Sequence, residues 1–342
     1  MKSFAKRLVQ WQRVDGRHDL PWQNTRDPYR VWLSEIMLQQ TQVATVKGYY
    51  DRFLTVFPDV KSLATAHLDR VLGLWSGLGY YSRARHLHAC AQQVLAQFGG
   101  EFPRQVAQLQ TLKGIGPSTA AAIASLCFDA RVAILDGNVK RVLTRHQGFA
   151  LDLSVAANEK QLQVVADSYL PRQAVDMPTY TQGIMDLGAT VCTRSSPACS
   201  SCPVREDCVA FAAGNPQDYP VKTKKTKRSA HSLWLLCATT EAGDVWLAQR
   251  PSKGIWAGLF TQPLFDSLDE LKLSLPETLR KALHCAPAFL HVLTHKDLHL
   301  HACHLQLKHQ RPLGEGKWYT AAQWPALGLP TPVRKLLSVA PP

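Results

Sequence analysis

The stretch Leu112-Lys113-Gly114-Ile115-Gly116-Pro117-Ser118-Thr119-Ala120 closes one helical run and opens another, Ala121-Ala122-Ile123-Ala124. Glycines at 114 and 116 permit a turn that other residues resist. They also let backbone N–H groups approach an anion at the N-terminus of the following helix. A phosphate of nucleic acid suits that geometry. Taken alone, the pattern fits a plain tight turn between helices equally well.

Further along, the apolar run Val132-Ala133-Ile134-Leu135 delivers Asp136-Gly137-Asn138, followed by Val139-Lys140-Arg141-Val142-Leu143. A carboxylate at that junction is either a helix N-cap or a positioned catalytic group. Then come Cys192, Cys199, Cys202 and Cys208, spaced C-x6-C-x2-C-x5-C. Four thiolates on one short loop can surround a metal centre, and Pro197 and Pro203 help turn the chain around it. Zinc also takes four cysteines, but more often through two paired knuckles. The single C-x2-C here leans toward iron–sulfur and leaves zinc open. Cys90, Cys127, Cys237, Cys285 and Cys303 are scattered and read as reduced packing residues.

At 342 residues the chain suggests two domains, each able to bury a core. It has no apolar run of about 18 residues, so no membrane span is expected. The start, MKSFAKRLVQWQRVDGRH, is amphipathic and unlike a secretory signal, which points to a cytoplasmic or nucleoid protein. Net charge is +13, and residues 1–150 alone carry 19 Lys and Arg against 10 Asp and Glu. A basic first half suits a polyanion such as nucleic acid.

Through residue 213 the apolar spacing is helical. Trp32, Ile36, Val43 and Val46 could form one stripe, and Leu63, Ala66, Val71, Leu74 and Leu78 another. Residues 214–230, with Lys222, Lys224, Lys225 and Lys227, read as an exposed basic linker. Beyond it, 231–237, 244–248 and 299–305 read as strands, so 231–342 is expected to mix α and β structure. His299, His301, Cys303 and His304 raise the question of a second metal, although alternating histidines on a strand are more often surface residues.

Hairpin, aspartate and cysteine loop in this order resemble the endonuclease III superfamily, helix–hairpin–helix DNA glycosylases that carry a four-iron cluster. The resemblance covers residues 1–213 and implies a 4Fe–4S cofactor on Cys192, Cys199, Cys202 and Cys208. Pyrimidine-specific members carry a lysine in the second helix of the hairpin, where this chain has Ser118. Leu20-Pro21-Trp22, Trp32–Gln42 with Glu35, and Gly77–Arg85 look like the MutY family of adenine DNA glycosylases. That likeness implies a monofunctional enzyme of base excision repair, acting on adenine opposite 8-oxoguanine or guanine.

The chemistry of the residues agrees. Adenine leaves readily only when its ring nitrogen is protonated, and a carboxyl on an apolar helix face can have the raised pKa of a general acid. Glu35 fits that part, and Asp136 that of stabilising the sugar oxocarbenium. The family likeness further implies DNA contacts at Gln39, Tyr80, Lys113, Gly114, Gly116, Ser118 and Lys140, the last to a phosphate. It implies an adenine pocket at Trp22, Gln182 and Asp186, and a monomer on double-stranded DNA with no membrane partner.

Residues 245–250 and 254–260 resemble a Nudix-like domain without the glutamate-rich Nudix box, which implies 8-oxoguanine recognition and no nucleotide hydrolysis. The family's Phe-Ser-His reading loop appears as Leu293-Thr294-His295, keeping the hydroxyl and losing the aromatic. The expected architecture is therefore a mainly α helix–hairpin–helix domain over 1–213 with its cluster loop at 192–208. A basic linker over 214–230 and an α+β Nudix-like domain over 231–342 follow. Two alternatives stay open: a pyrimidine-specific glycosylase/lyase of the same fold, and a cluster-bearing DNA-binding regulator without catalysis.

Overall fold

The computed structural model describes residues 3–223 and 228–338. Helices run α1 Phe4–Asp15, α2 Pro28–Leu38, α3 Val43–Val56, α4 Val60–Thr65, α5 Leu68–Trp75, α6 Ser82–Phe98 and α7 Val106–Leu109. They continue with α8 Pro117–Phe128, α9 Gly137–Gln147, α10 Ala156–Ser168, α11 Met177–Asp186 and α12 Val209–Ala212. The C-terminal part holds β1 Ser229–Thr240, β2 Val245–Gln249, β3 Phe260–Thr261, β4 Leu264–Phe265, β5 His284–Cys285, β6 Phe289–Val292, β7 Lys296–Leu307 and β8 Lys317–Tyr319. Helices α13 Leu268–Leu273, α14 Glu277–Arg280 and α15 Thr331–Ser338 complete it.

The chain divides into two compact units, one of residues 1–64 and 89–225, the other of 65–88 and 226–342. Residues 65–88, which the sequence groups with the helical first half, thus belong with the sheet. The linker expectation changes as well. Its first part is tied to the helical unit, with Leu153 N donating to Val221 O at 3.0 Å and Arg145 Nε to Pro216 O at 2.6 Å. Lys224, Lys225 and Lys227 lie outside the described residues.

In the helical unit, local chemistry sets the ends of the elements that matter. Asp27 caps α2 by accepting from Tyr29 N at 2.9 Å, with Pro28 in the first turn. Gly114 adopts φ +78° in the hairpin, and Pro117 starts α8. Helix α8 is apolar nearly all round, Ala120 to Ala124 being buried, so it forms the unit's centre. The first expected stripe does not run on one helix: Trp32 and Ile36 lie on α2 and Val46 on α3, separated by the break at Gln39–Gln42. The second stripe likewise breaks, with Leu63 on α4, Val71 and Leu74 on α5, and Ala66 and Leu78 outside both.

In the other unit one 8-stranded sheet has the order β3-β2-β1-β7-β5, with β4 beside β1, β6 beside β7 and β8 beside β2. The long strands β1 and β7 pair in parallel from Ser229↔Lys296 to Thr240↔Leu307. Alternation sends Leu233, Leu235, Leu298 and Leu300 to one core and Leu236, Ala238, Cys303 and Leu305 to the other. The three expected strands are all present; β1 and β7 extend further than expected, and β2 is shifted by one residue. Cys285 and Cys303 face each other in the β5–β7 register and form a disulfide, which corrects the reading of both as reduced packing residues. Cross-strand partners bring their Cβ atoms together, a proximity that spacing in the chain does not reveal. His301 of the alternating histidines stacks on Trp234, with ring centroids 4.3 Å apart.

Candidate functional site

Helix α2 buries Trp32, Leu33 and Ile36 and turns Glu35 toward a cavity of about 240 Å³. Trp22, Gln182, Arg17 and Met185 line the same space. Burial chiefly, and the nearby charge of Asp136 secondly, push the Glu35 carboxyl up to about 7. At neutral pH it therefore retains a substantial protonated fraction, as a general acid must.

Of the two readings of Asp136, the structure shows the helix cap directly. It caps α9, accepting from Val139 N at 2.7 Å. Burial raises its pKa, while the N–H groups of Val139 and Asn138 and the cations of Arg141 and Lys140 pull it down. Glu35 has no comparable counterweight, so the two acids diverge in character.

Trp22 is buried edge-on against Tyr50, with ring centroids 5.4 Å apart. Asp186 is fully buried behind the cavity wall, bonded to two residues that line it. Its carboxylate accepts from Arg17 N at 3.0 Å, Arg17 Nε at 2.8 Å and Gln182 Nε2 at 2.8 Å. It thus orients two residues that do line the pocket. Arg17 is absent from the sequence reading, because its partner lies across the fold and no local spacing announces it.

Among the expected DNA contacts, Gln39, Gly114, Gly116, Ser118 and Lys140 line one open groove of about 910 Å³. Lys113 is exposed next to it, its N–H held by Gln93 Oε1 at 3.0 Å. Ser118 Oγ accepts from Leu135 N at 3.3 Å. Lys140 lies 2.6 Å from Glu159 Oε1, so a phosphate there would have to displace a carboxylate. In the other unit, Tyr80 is exposed and its hydroxyl is 2.9 Å from Thr294 Oγ1. Residues Leu293 to His295 form a tight turn between β6 and β7, with Leu293 N donating to Lys296 O at 2.8 Å. Thr294 and His295 are both exposed on it.

Cys192, Cys199, Cys202 and Cys208 line one small cavity together with Arg145. Arg145 is almost wholly buried and donates to Cys192 Sγ at 3.4 Å, Thr193 O at 2.6 Å and Arg194 O at 2.8 Å. Burial pushes the Cys202 thiol up to about 12 and raises those of Cys199 and Cys208. Arg141, one turn earlier, joins this loop to the start of α9. It donates to Cys192 O at 2.8 Å, Gly188 O at 2.6 Å and Asn138 Oδ1 at 2.9 Å. Nothing in the sequence signalled the parts played by Arg141 and Arg145, which lie four residues apart on one helix face. Among the described residues no group of three or more His, Cys, Asp or Glu is placed to hold a single metal ion.

Two family models match: an HhH-GPD superfamily base excision DNA repair protein over residues 33–166 and a NUDIX domain over 234–339. A protein named adenine DNA glycosylase from Buchnera aphidicola subsp. Acyrthosiphon pisum (strain APS) is 36% identical, over 98% of this chain and 96% of its own. One of the same name from Homo sapiens is 31% identical over 98% of this chain and 74% of its own. A solved thermostable thymine-DNA glycosylase covers 61% of this chain and 95% of its own, at TM-score 0.54 and 27% identity. A non-covalent endonuclease III–DNA complex is alike in fold, at TM-score 0.52 and 20% identity over 61% of this chain and 94% of that one. Near-complete coverage by such relatives, together with both matched domains, places this chain in the adenine DNA glycosylase family of base excision repair enzymes.

Proposed function

We propose that the chain hydrolyses the N-glycosidic bond of adenine paired with 8-oxoguanine or guanine, Glu35 acting as general acid and Asp136 stabilising the sugar cation. One observation carries the assignment: a carboxyl held near neutrality on the wall of a cavity, within the field of a second carboxyl capping α9.

The target base lies inside a duplex and must be extruded to reach such a cavity. There Glu35 donates a proton to the adenine ring, which makes the base a neutral leaving group as the bond breaks. Positive charge grows on the sugar and is stabilised by the Asp136 carboxylate, which the Val139 N–H holds in place. Water then completes hydrolysis. Ser118 offers no amine for a Schiff base, and its hydroxyl is engaged with Leu135 N, which supports base removal without strand cleavage. Trp22, Arg17 and Gln182 shape the adenine pocket, with Asp186 holding the last two. Gln39, Tyr80, Lys113, Gly114, Gly116, Ser118 and Lys140 contact the DNA, and Thr294 and His295 read the oxidised guanine.

Cys192, Cys199, Cys202 and Cys208 would hold a 4Fe–4S centre. The residues suit it: four cysteine sulfurs share one cavity beside the buried Arg145. A cluster gives each thiolate its own iron. The raised thiols need a cation to ionise, and the Arg145 N–H steadies Cys192. When bound, the cluster would supply cross-links that fix the loop, since hydrolysis transfers no electron.

The test is Glu35→Gln, which should bind an 8-oxoguanine·adenine duplex and release no adenine. Base release near the unaltered rate would sink the assignment.

A further inference from the structure

Tyr80 is an exposed aromatic, 46% accessible, in a left-handed backbone conformation with φ +48°. Gly77 and Gly79 beside it have φ +103° and +73°. A non-glycine residue in that region persists only where its surroundings over-determine it. The loop 76–81 therefore needs a holder, and the same unit provides one.

Ser76 Oγ and Tyr81 OH both donate to the carbonyl of Leu329, at 2.9 and 2.7 Å, using both of its lone pairs. Arg334 Nε donates to Ser76 Oγ at 3.1 Å, and Tyr81 OH accepts from Gly77 N at 3.3 Å. The guanidinium of Arg334 also ties down Pro325 O and Leu327 O, each at 3.2 Å. Backbones approach closely around this network. A Cβ on Gly73 would stand 2.2 Å from Ala326 O, and one on Gly328 2.7 Å from Leu72 Cβ. Helix α5 and loop 76–81 are thus seated on residues 324–334, a second attachment distinct from the Tyr80–Thr294 hydroxyl pair.

We propose that residues 324–334 position the Tyr80 loop for DNA, with Ser76, Tyr81 and Arg334 as positioning residues. The Nudix-like part then serves the reaction by fixing the conformation of an aromatic presented to the duplex, in addition to any contact that its own 293–295 turn makes. The proposal rests on reading Tyr80 as a DNA contact.

A double-mutant cycle tests it in the full-length chain. Tyr81→Phe and Ser76→Ala are combined, with and without Tyr80→Ala, and affinity for an 8-oxoguanine·adenine duplex is measured by anisotropy with the hydrolysis-resistant 2′-fluoro adenosine analogue. The combined change should weaken binding about tenfold when Tyr80 is present and less than about twofold when it is absent. Single-turnover adenine release at saturating enzyme should stay within about twofold, because the chemistry lies elsewhere. Equal loss in both backgrounds, or no loss in either, overturns the proposal. Should the combined variant fold poorly, Tyr81→Phe alone removes one hydroxyl and is judged by the same ratio. A chain that releases no adenine refutes the proposed reaction, and the affinity cycle still decides the positioning role.

Discussion

In the proposed reaction Glu35 and Asp136 bear nearly the same functional group and owe their different parts to surroundings that helix geometry imposes. Glu35 projects from a helix otherwise buried in apolar contacts, so ionisation costs desolvation and is opposed further by Asp136. Base release should therefore fall as pH rises through about 7, and a pH profile of single-turnover rates checks it. The stability consequence has a definite sign. With the folded pKa of Glu35 raised, the folded chain holds this proton more tightly than the unfolded one, and its contribution is lost between the ordinary carboxyl range and about pH 7. Glu35→Gln should accordingly be more stable than the unaltered chain at pH 8, by about 2 kcal/mol, with the gap closing at acid pH; thermal melts at both values decide it.

His146 works in the opposite sense. Burial lowers it to about 4, and its ring is held by Tyr169 OH at 2.9 Å and by Phe4 edge-on. It must charge on unfolding, so stability should drop as pH falls from about 6.5 toward about 4. His146→Phe should flatten that part of the denaturation-versus-pH curve. Asp136 was legible as a candidate from its place after an apolar run, and Glu35 from the family resemblance of the Trp32–Gln42 segment. Arg17, Asp186 as an anchor, and buried Arg145 were not, because each depends on a partner distant in sequence.

Helix α9 links the Asp136 cap to the cysteine loop of the helical unit. It begins on Asp136, carries Arg141 and Arg145 to the cysteine loop, and ends at Gly148 with φ +63°. A Cβ on Gly148 would stand 2.6 Å from Val209 Cγ1 in α12. Gly148→Ala should cost about 1–3 kcal/mol through backbone strain and that clash, read as a lower midpoint in urea. Cys202→Ser should remove the visible iron–sulfide absorption, lower iron from about four per chain, and loosen the loop gripped by Arg145. At this scale the sequence located the hairpin, the cap and the three main strands well. It misread stripes of helical period that run through breaks, since a periodicity count does not register a backbone turning at Gln40, φ +59°.

For the whole molecule, the division of the chain departs from its order along the sequence. Residues 65–88 interrupt the helical half yet pack with the sheet, through Leu329, through Ala257 O accepting from Arg85 at 2.7 Å, and through the contacts of Gly73. Truncation after residue 225 should therefore raise amide exchange in 65–88 far more than in α8 or α9, as measured by hydrogen–deuterium exchange. If 65–88 stays as protected as in the full chain, this division of the fold is wrong.

The sequence by itself determined the elements with local causes. Glycine and proline placed the hairpin, an aspartate capped its helix, alternation marked the strands, and four cysteines shared one loop. These are short-range effects, decided by sterics and hydrogen bonds between near neighbours. Only the tertiary structure decided that Glu35 faces a cavity beside Asp136, that Asp186 anchors Arg17 and Gln182, and that Cys285 meets Cys303. It alone attached residues 65–88 to the sheet. Such pairings are fixed by burial and packing between segments far apart in the chain, and no residue's immediate neighbours carry that information.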